Sequence, residues 1–342
     1  MKVVKSRAPF RIGLAGGGSD VSPYSDLFGG CVLNTTVSLY AKTTLIENEQ
    51  NIIFENIEDN SRFEFEIQSE LPINKAIALQ IGAYNHIIQS FGIAPFGFHM
   101  INQMDVPTGS GLGTSSTILV SVLAAFNELL QLNLSSIELA ERAVIIEREE
   151  LKMAGGKQDQ YAASLGGTNF LTFEQNGTVK AEKVELSHEC KNELSFNLVL
   201  FFNEQKRDSS SIIEAQMKNV QNNQKDSIEA THLVKQEALL LKNTLEKGNL
   251  KPIGDILNRN WENKQKMADG ITNETINLIY QTAMKAGASG GKISGAGGGG
   301  FILFYVESQH KNKMIQALKN FKGDIIPFNL VDEGAESWVV EE

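Results

Sequence analysis

The segment Pro107-Thr108-Gly109-Ser110-Gly111-Leu112-Gly113-Thr114-Ser115-Ser116 sets glycines at 109, 111 and 113 directly ahead of three consecutive hydroxyl side chains. A helical pattern opens there, with Ile118, Leu119, Val122, Leu123, Phe126, Leu129 and Leu130 recurring at three- and four-residue spacing. A glycine loop that runs into a helix N-terminus can cradle a phosphate. The first helical N–H groups have no internal partners, and the helix dipole gives them partial positive charge. Glycines let the main chain approach the anion and adopt φ > 0. The hydroxyls can bond phosphate oxygens or ligate Mg²⁺, which takes oxygen donors. A tight glycine turn with a Thr or Ser cap and no ligand would carry similar residues.

Two familiar phosphate loops are weakened as readings. No lysine occurs between Lys75 and Lys152, so a Gly-Lys-Ser/Thr ending is missing. The spacing is G-x-G-x-G, and the acidic residue about 20 positions on, Glu128, lies inside the helical pattern instead of closing a strand.

Two more glycine clusters stand far away in sequence, Gly13-Leu14-Ala15-Gly16-Gly17-Gly18-Ser19-Asp20 and Ser294-Gly295-Ala296-Gly297-Gly298-Gly299-Gly300. Three such loops, each flanked by strand- or helix-like sequence, point to one site assembled from distant segments. Consecutive glycines cost conformational entropy, so something must order the last cluster.

Two carboxylates are candidates for chemistry. Glu147 falls on one helical stripe with Ala140, Val144 and Leu151, which points it inward, where a carboxylate is costly without a cation. Glu149 and Glu150, near Arg148 and Lys152, read as a solvated face. Asp159 follows Gly155-Gly156-Lys157-Gln158 and precedes Tyr161-Ala162-Ala163, a loop-to-helix junction. It could accept a proton, or cap the helix for about 1 kcal/mol. His86 and His99 lack ligand spacing, His188 and Cys190 form no metal pattern, and zinc is set aside. Trp261 and Trp338 read as packing residues.

The elements that must position these residues follow from periodicity. Strands are expected over 2–14, within 31–67, at 96–101, over 168–202 and at 301–306. Helices are expected over 74–90, from Thr114, from Ser135 (with Glu138 completing a capping box) to about Met153, over most of 209–286, and over 309–321. A last strand is expected at 324–330.

Composition bounds the class. The chain has 342 residues, 42% hydrophobic and 21% charged, enough to fold as two domains. The longest apolar run is Phe301 to Val306, too short to span a membrane. A net charge of −10 argues against a nucleic-acid binder. Two cysteines, Cys31 and Cys190, and no secretory signal at Met1-Lys2-Val3-Val4-Lys5 fit a reducing cytoplasm.

The 107–116 segment resembles the Pro-x-x-x-Gly-Leu-Gly-Ser-Ser signature of the GHMP kinases, the superfamily of galactokinase, homoserine kinase, mevalonate kinase and phosphomevalonate kinase. Arg7-Ala8-Pro9-Phe10-Arg11-Ile12 looks like its first motif, and Lys292-Ile293-Ser294 through Gly300 like its third. Order, spacing and length agree, so the resemblance covers essentially the whole chain. Ala15-Gly16-Gly17-Gly18-Ser19-Asp20-Val21-Ser22-Pro23-Tyr24 resembles the sugar-1-kinase branch with the heptose 7-phosphate kinases and fucokinase-like domains. It departs from the Gly-Glu-His pattern of galactokinases and mevalonate kinases. Gly18 stands where fucokinase-like sequences tend to carry tryptophan.

This resemblance implies an α+β, two-domain fold with the active site in a cleft, an N-terminal domain at 1–185 and a C-terminal domain at 186–342. It implies ATP as donor and Mg²⁺ as metal. Pro107, Gly109, Ser110, Gly111, Leu112, Gly113, Thr114, Ser115 and Ser116 would bind the nucleotide, and Ser115 and Glu147 the metal. Asp159 would be the general base, with Arg11 near the transferring phosphoryl group. Gly17, Gly18, Ser19, Asp20, Gly297 and Gly298 would join Arg11 and Asp159 around the sugar. The third cluster would place its backbone near the second loop. Lys157, Arg148, Lys152, Lys206 and Arg207 are available to a phosphate already on the substrate. The implied reaction is phosphorylation of the anomeric hydroxyl of D-glycero-D-manno-heptose 7-phosphate, for nucleotide-activated heptose and surface polysaccharide. The alternatives are a fucose or other hexose 1-kinase, a catalytically silent ATP- and sugar-binding regulator, and a dinucleotide oxidoreductase. The expected partner is a small sugar or sugar phosphate, without nucleic acid or membrane, and a homodimer is compatible with the family.

Overall fold

In the computed structural model, residues 2–205 and 209–340 are described. Lys206 and Arg207, two of the basic candidates, lie outside the described residues.

The first sheet is built around one long strand. Gly30–Glu47 pairs antiparallel with the opening strand Val3–Ala15 on one edge. On its other edge, its first part pairs with Thr168–Phe173 and its last part with Phe98–Met104. Register shifts between Pro9 and Arg11 and between Gly13 and Ala15 bend the opening strand as it approaches the first glycine cluster. Phe98–Met104 pairs parallel with Ile52–Asn56, which turns back into Ser61–Phe65. The alternation of Arg62-Phe63-Glu64-Phe65 therefore does mark a half-buried strand.

Helix Thr114–Leu130 lies on this sheet. Its predicted apolar face is buried: Leu119, Val122, Leu123 and Phe126 pack in one cluster with Val4, Leu45, Phe54 and Phe98. Burial of side chains this size contributes about 1.5–3 kcal/mol each. Buried polar groups set its register on the sheet. Ser6 Oγ donates to the Ser121 carbonyl at 2.6 Å, and the Ser121 and Thr43 hydroxyls lie 3.0 Å apart.

The capping box forms as expected, with Ser135 accepting from the Glu138 N–H and Glu138 accepting from the Ser135 N–H. The helix it starts, Ser136–Val144, continues through a widened turn at Ile145–Glu150. Glu147 is buried in that turn, whereas Glu149 and Glu150 are exposed, as the stripe predicts.

The second half holds a four-stranded sheet in the order Asp324–Ile326, Leu198–Phe202, Phe301–Tyr305, Gly290–Ile293. Helices Ser209–Gln221, Lys225–Glu246, Ile253–Lys264, Glu274–Lys285 and Ser308–Leu318 accompany it. One apolar cluster spans both halves. It joins Phe10, Ile12 and Leu33 of the first sheet to Leu241, Leu257, Leu200 and Phe301.

Two elements depart from the sequence reading. Residues 188–197 form a helix inside the stretch read as strands. Ser187 caps it by accepting from the Cys190 N–H, and only Cys190, Leu194 and Asn197 turn inward, too few to show a period. Beyond the expected last strand, Glu336–Val340 pairs with Val3–Ala15, so the first sheet draws on both ends of the chain.

Candidate active site

The three glycine clusters converge on a cavity of about 340 Å³. Helix Thr114–Leu130 begins at Gly113, which has φ +79° and gives the helix no side-chain cap. The Thr or Ser cap expected of a ligand-free turn is therefore not formed here. Thr114 Oγ1 instead accepts from the Gly109 N–H at 3.3 Å, and Thr117 donates to the Gly113 carbonyl at 2.8 Å. No side chain occupies the cap, so the N-terminal N–H groups of the helix face the cavity end of the loop.

The third cluster packs main chain against main chain on this loop. The Phe301 N–H donates to the Ser110 carbonyl at 2.9 Å. A Cβ on Gly111 would come within 2.6 Å of the Ser294 carbonyl, and one on Gly300 within 2.1 Å of the Ser110 carbonyl. Only glycine permits these approaches, which is how the entropy of the repeated glycines is offset.

Arg11 fastens the clusters together. Its Nε donates to Asp159 Oδ1 at 2.7 Å, its Nη2 lies 2.7 Å from the same oxygen, and its Nη1 donates to the Gly111 carbonyl at 2.8 Å. Asp159 sits in the first turn of helix Gln158–Leu165. Its carboxylate lies against the 109–116 loop, since a Cβ on Gly113 would be 2.8 Å from Asp159 Cγ. Segments 109–116 and 159 thus line one cavity, as the kinase reading requires.

Glu147 stands behind the loop. Its Oε2 accepts from Ser116 Oγ at 2.7 Å and from Gln160 Nε2. Arg148 Nη2 lies 3.7 Å away. Burial pushes the Glu147 carboxyl above its usual range, opposed by Arg148 and by the bonds from Ser116 and Gln160. Neither Glu147 Oε1 nor the Ser115 hydroxyl has a hydrogen-bond partner among the described residues, and both residues line the cavity. Two oxygen donors left in this way suit Mg²⁺.

Asp20 is buried in the cavity wall. It accepts from the Gly18 N–H at 3.0 Å and from the Gln158 N–H and Nε2 at 3.3 Å. A Cβ on Gly156 would collide with it at 1.9 Å, so Gly156 is what admits the carboxylate.

The remaining expected residues separate clearly. Gly17, Gly18, Gly109 and Gly111 line the cavity with Thr114 and Ser116. Pro107, Ser110 and Leu112 do not; the Leu112 side chain is buried in the apolar cluster between the halves. Ser19 is fully buried, its hydroxyl donating to the Gly16 and Cys31 carbonyls at 2.8 and 2.9 Å. Gly297 and Gly298 face Ile271, with the Gly298 N–H donating to the Ile271 carbonyl at 2.8 Å. Of the basic candidates described, Arg148 lines the cavity and its guanidinium holds the 153–156 loop through the Met153 and Gly156 carbonyls. Lys157 reaches the Gly177 carbonyl instead, and Lys152 is exposed.

Sequence reasoning missed two buried lysines. Lys264 Nζ donates to the Gly295 carbonyl at 2.6 Å, and Lys292 Nζ to the Gly13 carbonyl at 2.8 Å. Burial lowers Lys264 to about 8 and Lys292 well below the ordinary lysine range. Both line the cavity. The available signal was Lys264 on the apolar stripe of Leu257 and Trp261.

Comparison with known proteins agrees with this geometry. Residues 76–167 match the GHMP kinases N terminal domain, and residues 240–324 the GHMP kinases C terminal. The chain is 39% identical over 339 residues to a D-glycero-alpha-D-manno-heptose 7-phosphate kinase of Campylobacter jejuni, covering 99% of both. It is 25% identical to an L-fucokinase/L-fucose-1-P guanylyltransferase of Bacteroides fragilis, of which it covers 38%. A crystal structure described as a D-glycero-D-manno-heptose 1-phosphate kinase from Bacteroides thetaiotaomicron superposes with a TM-score of 0.84 at 38% identity, covering 99% of this chain and all of that one. A mevalonate kinase structure shares the fold at 18% identity with a TM-score of 0.77. The two family matches and the 39% likeness over nearly the whole chain place this protein, with its uncapped glycine loop against the Arg11–Asp159 pair, in the GHMP kinase family.

Proposed function

We propose that this protein transfers the γ-phosphoryl group of ATP to the anomeric hydroxyl of D-glycero-D-manno-heptose 7-phosphate, giving the 1,7-bisphosphate and ADP. The observation that carries the reading is the Asp159 carboxylate pressed against the phosphate loop at Gly113 and held by Arg11. The substrate class follows the full-length likeness to the heptose phosphate kinase. The fucokinase alternative rests on a more distant relative. It also meets Gly18 at φ +103°, a conformation that a tryptophan would strain.

Phosphoryl transfer needs a held nucleotide and a positioned nucleophile. In this reading, the N–H groups after Gly113 and the Thr114 hydroxyl hold the nucleotide phosphates. Asp20 and Gln158 orient the sugar so that its C1 hydroxyl meets Asp159. The carboxylate takes the hydroxyl proton as the new P–O bond forms and the bond to the ADP oxygen breaks. Arg11 fixes the carboxylate and adds positive charge beside the transferring group. Ser115 and Glu147 would hold Mg²⁺, which supplies charge neutralisation on the phosphates. We assign the nucleotide-bearing unit to 1–185 and the unit closing over the sugar to 186–342. The product would feed synthesis of nucleotide-activated heptose in the cytoplasm. Among the described residues, no helix is long and apolar enough to cross a membrane.

The test is ADP release with heptose 7-phosphate, heptose 1-phosphate, fucose and galactose as acceptors, followed by phosphorus NMR of the product. A 1,7-bisphosphate made from the 7-phosphate supports the reading. Preference for an unphosphorylated hexose overturns the substrate, and ATP binding without ADP release overturns the enzyme in favour of a sensor.

A further inference from the structure

Two donors from the second half of the chain face the part of the cavity where Asp20 sits. Lys264 ends helix Ile253–Lys264 and is 3% exposed. Its ammonium has three donors, of which the Gly295 carbonyl takes one. A Cβ on Gly17 would lie 3.7 Å from this nitrogen and 3.6 Å from Gln158 Nε2, so both point to the same spot. Gln216, on helix Ser209–Gln221, is 6% exposed and lines the cavity, and its Nε2 has no hydrogen-bond partner among the described residues. A Cβ on Gly18 would be 3.3 Å from Gln216 Oε1, which sets this amide beside the first glycine cluster.

Folding contacts leave both groups incompletely satisfied, Lys264 with one of its three donors placed and Gln216 Nε2 with none among the described residues. A buried amide N–H without a partner is unfavourable, and a buried ammonium is more so. Met or Leu would fill either place in a packed helix better. The two become favourable when an oxygen-rich ligand fills the space between them and Asp20. Asp20 only accepts hydrogen bonds, while Lys264 and Gln216 Nε2 only donate. A polyol, whose hydroxyls do both, satisfies the two sides together.

We propose that Lys264 and Gln216 are specificity-determining residues that donate hydrogen bonds to acceptor oxygens opposite Asp20. This rests on the reading of the cavity as a sugar kinase site. The second half of the chain thereby shares the selection of the sugar with Asp20 and Gln158 of the first half.

The experiment is steady-state kinetics of the full chain, wild type against Lys264→Met and Gln216→Met, varying ATP and acceptor separately, with melting temperature recorded. The acceptor KM is expected to rise about tenfold or more in each variant, the loss of one hydrogen bond to a buried donor. The ATP KM stays within about twofold, and Lys264→Met melts no lower than wild type. Lys264→Arg, which restores the charge, recovers part of the acceptor affinity. An unchanged acceptor KM overturns the inference. So does a parallel rise of both KM values with a lower melting temperature, the mark of a structural role. If Lys264→Met fails to fold, Gln216→Met alone decides. If the wild type turns over a different sugar, the heptose reading falls and the variants are scored on that sugar. If the wild type uses heptose 7-phosphate and the variants keep its KM, only this inference falls.

Discussion

Arg11 grips Asp159 through two nitrogens at 2.7 Å and turns its third to the Gly111 carbonyl at 2.8 Å. One guanidinium on the opening strand thereby fixes the distance between the proposed base and the loop that would carry the nucleotide. Arg11 is buried, whereas Asp159 keeps a partly open side toward the cavity. The carboxylate is oriented by the ion pair yet still reachable by a substrate hydroxyl.

Asp159→Asn keeps the shape and removes the basic oxygen. Turnover is expected to fall about 10²-fold or more while the ATP KM hardly changes. Continuous ADP detection measures both constants, and near-wild-type turnover would remove Asp159 as the base.

Gly113→Ala tests the close approach. Its φ of +79° disfavours alanine by about 1–2 kcal/mol. Its Cβ would meet Asp159 Cγ at 2.8 Å. The variant is expected to keep its circular dichroism spectrum and lose most of its turnover. Full activity would show that the loop and the base need not touch.

Ser115→Ala and Glu147→Gln bear on the metal. Both should raise the Mg²⁺ concentration needed for half-maximal rate, and Ser116→Ala should do so less, because its hydroxyl only braces the carboxylate. Burial raises the Glu147 carboxyl, so protons compete with the metal at higher pH than for an exposed glutamate. The Mg²⁺ requirement of the wild type should therefore grow as pH falls, and a flat profile would contradict the assignment.

Lys264 gives the opposite pH signature. Burial lowers it to about 8; Asp20 and Asp159 oppose that shift, and Arg11 adds to it. Lys292 faces it as well. As pH rises through about 8 the ammonium is lost, so the acceptor KM should climb in the wild type and stay flat in Lys264→Met. Stability moves the other way. The unfolded lysine binds its proton up to about 10.5, so unfolding takes up a proton between the two values. The burial cost, present below about 8, is relieved as pH rises toward 10.5. Melting curves at pH 7 and pH 9 should show this relief in the wild type and a smaller one in Lys264→Met, where only the buried Lys292 still contributes.

The local parts were legible in the order of residues alone. Period-3.6 apolar residues fixed helix Thr114–Leu130, and the stripe through Val144 and Leu151 turned Glu147 inward. Ser135 and Glu138 announced a helix start that the structure reproduces bond for bond. Such features depend on neighbours within a few residues, where backbone geometry alone decides who meets whom. What these parts do together came from long-range packing. Lys264 and Lys292 lie more than 240 residues from the main chain of Gly13 and Gly17 that they approach, and no periodicity encodes such a meeting. Ser19 reads like Asp20 in a glycine-rich turn, but strand Gly30–Glu47 passes behind it and Cys31 takes its hydroxyl. Which of two adjacent polar residues faces a ligand is set by what the fold packs against their other side, and that depends on chain brought from far away.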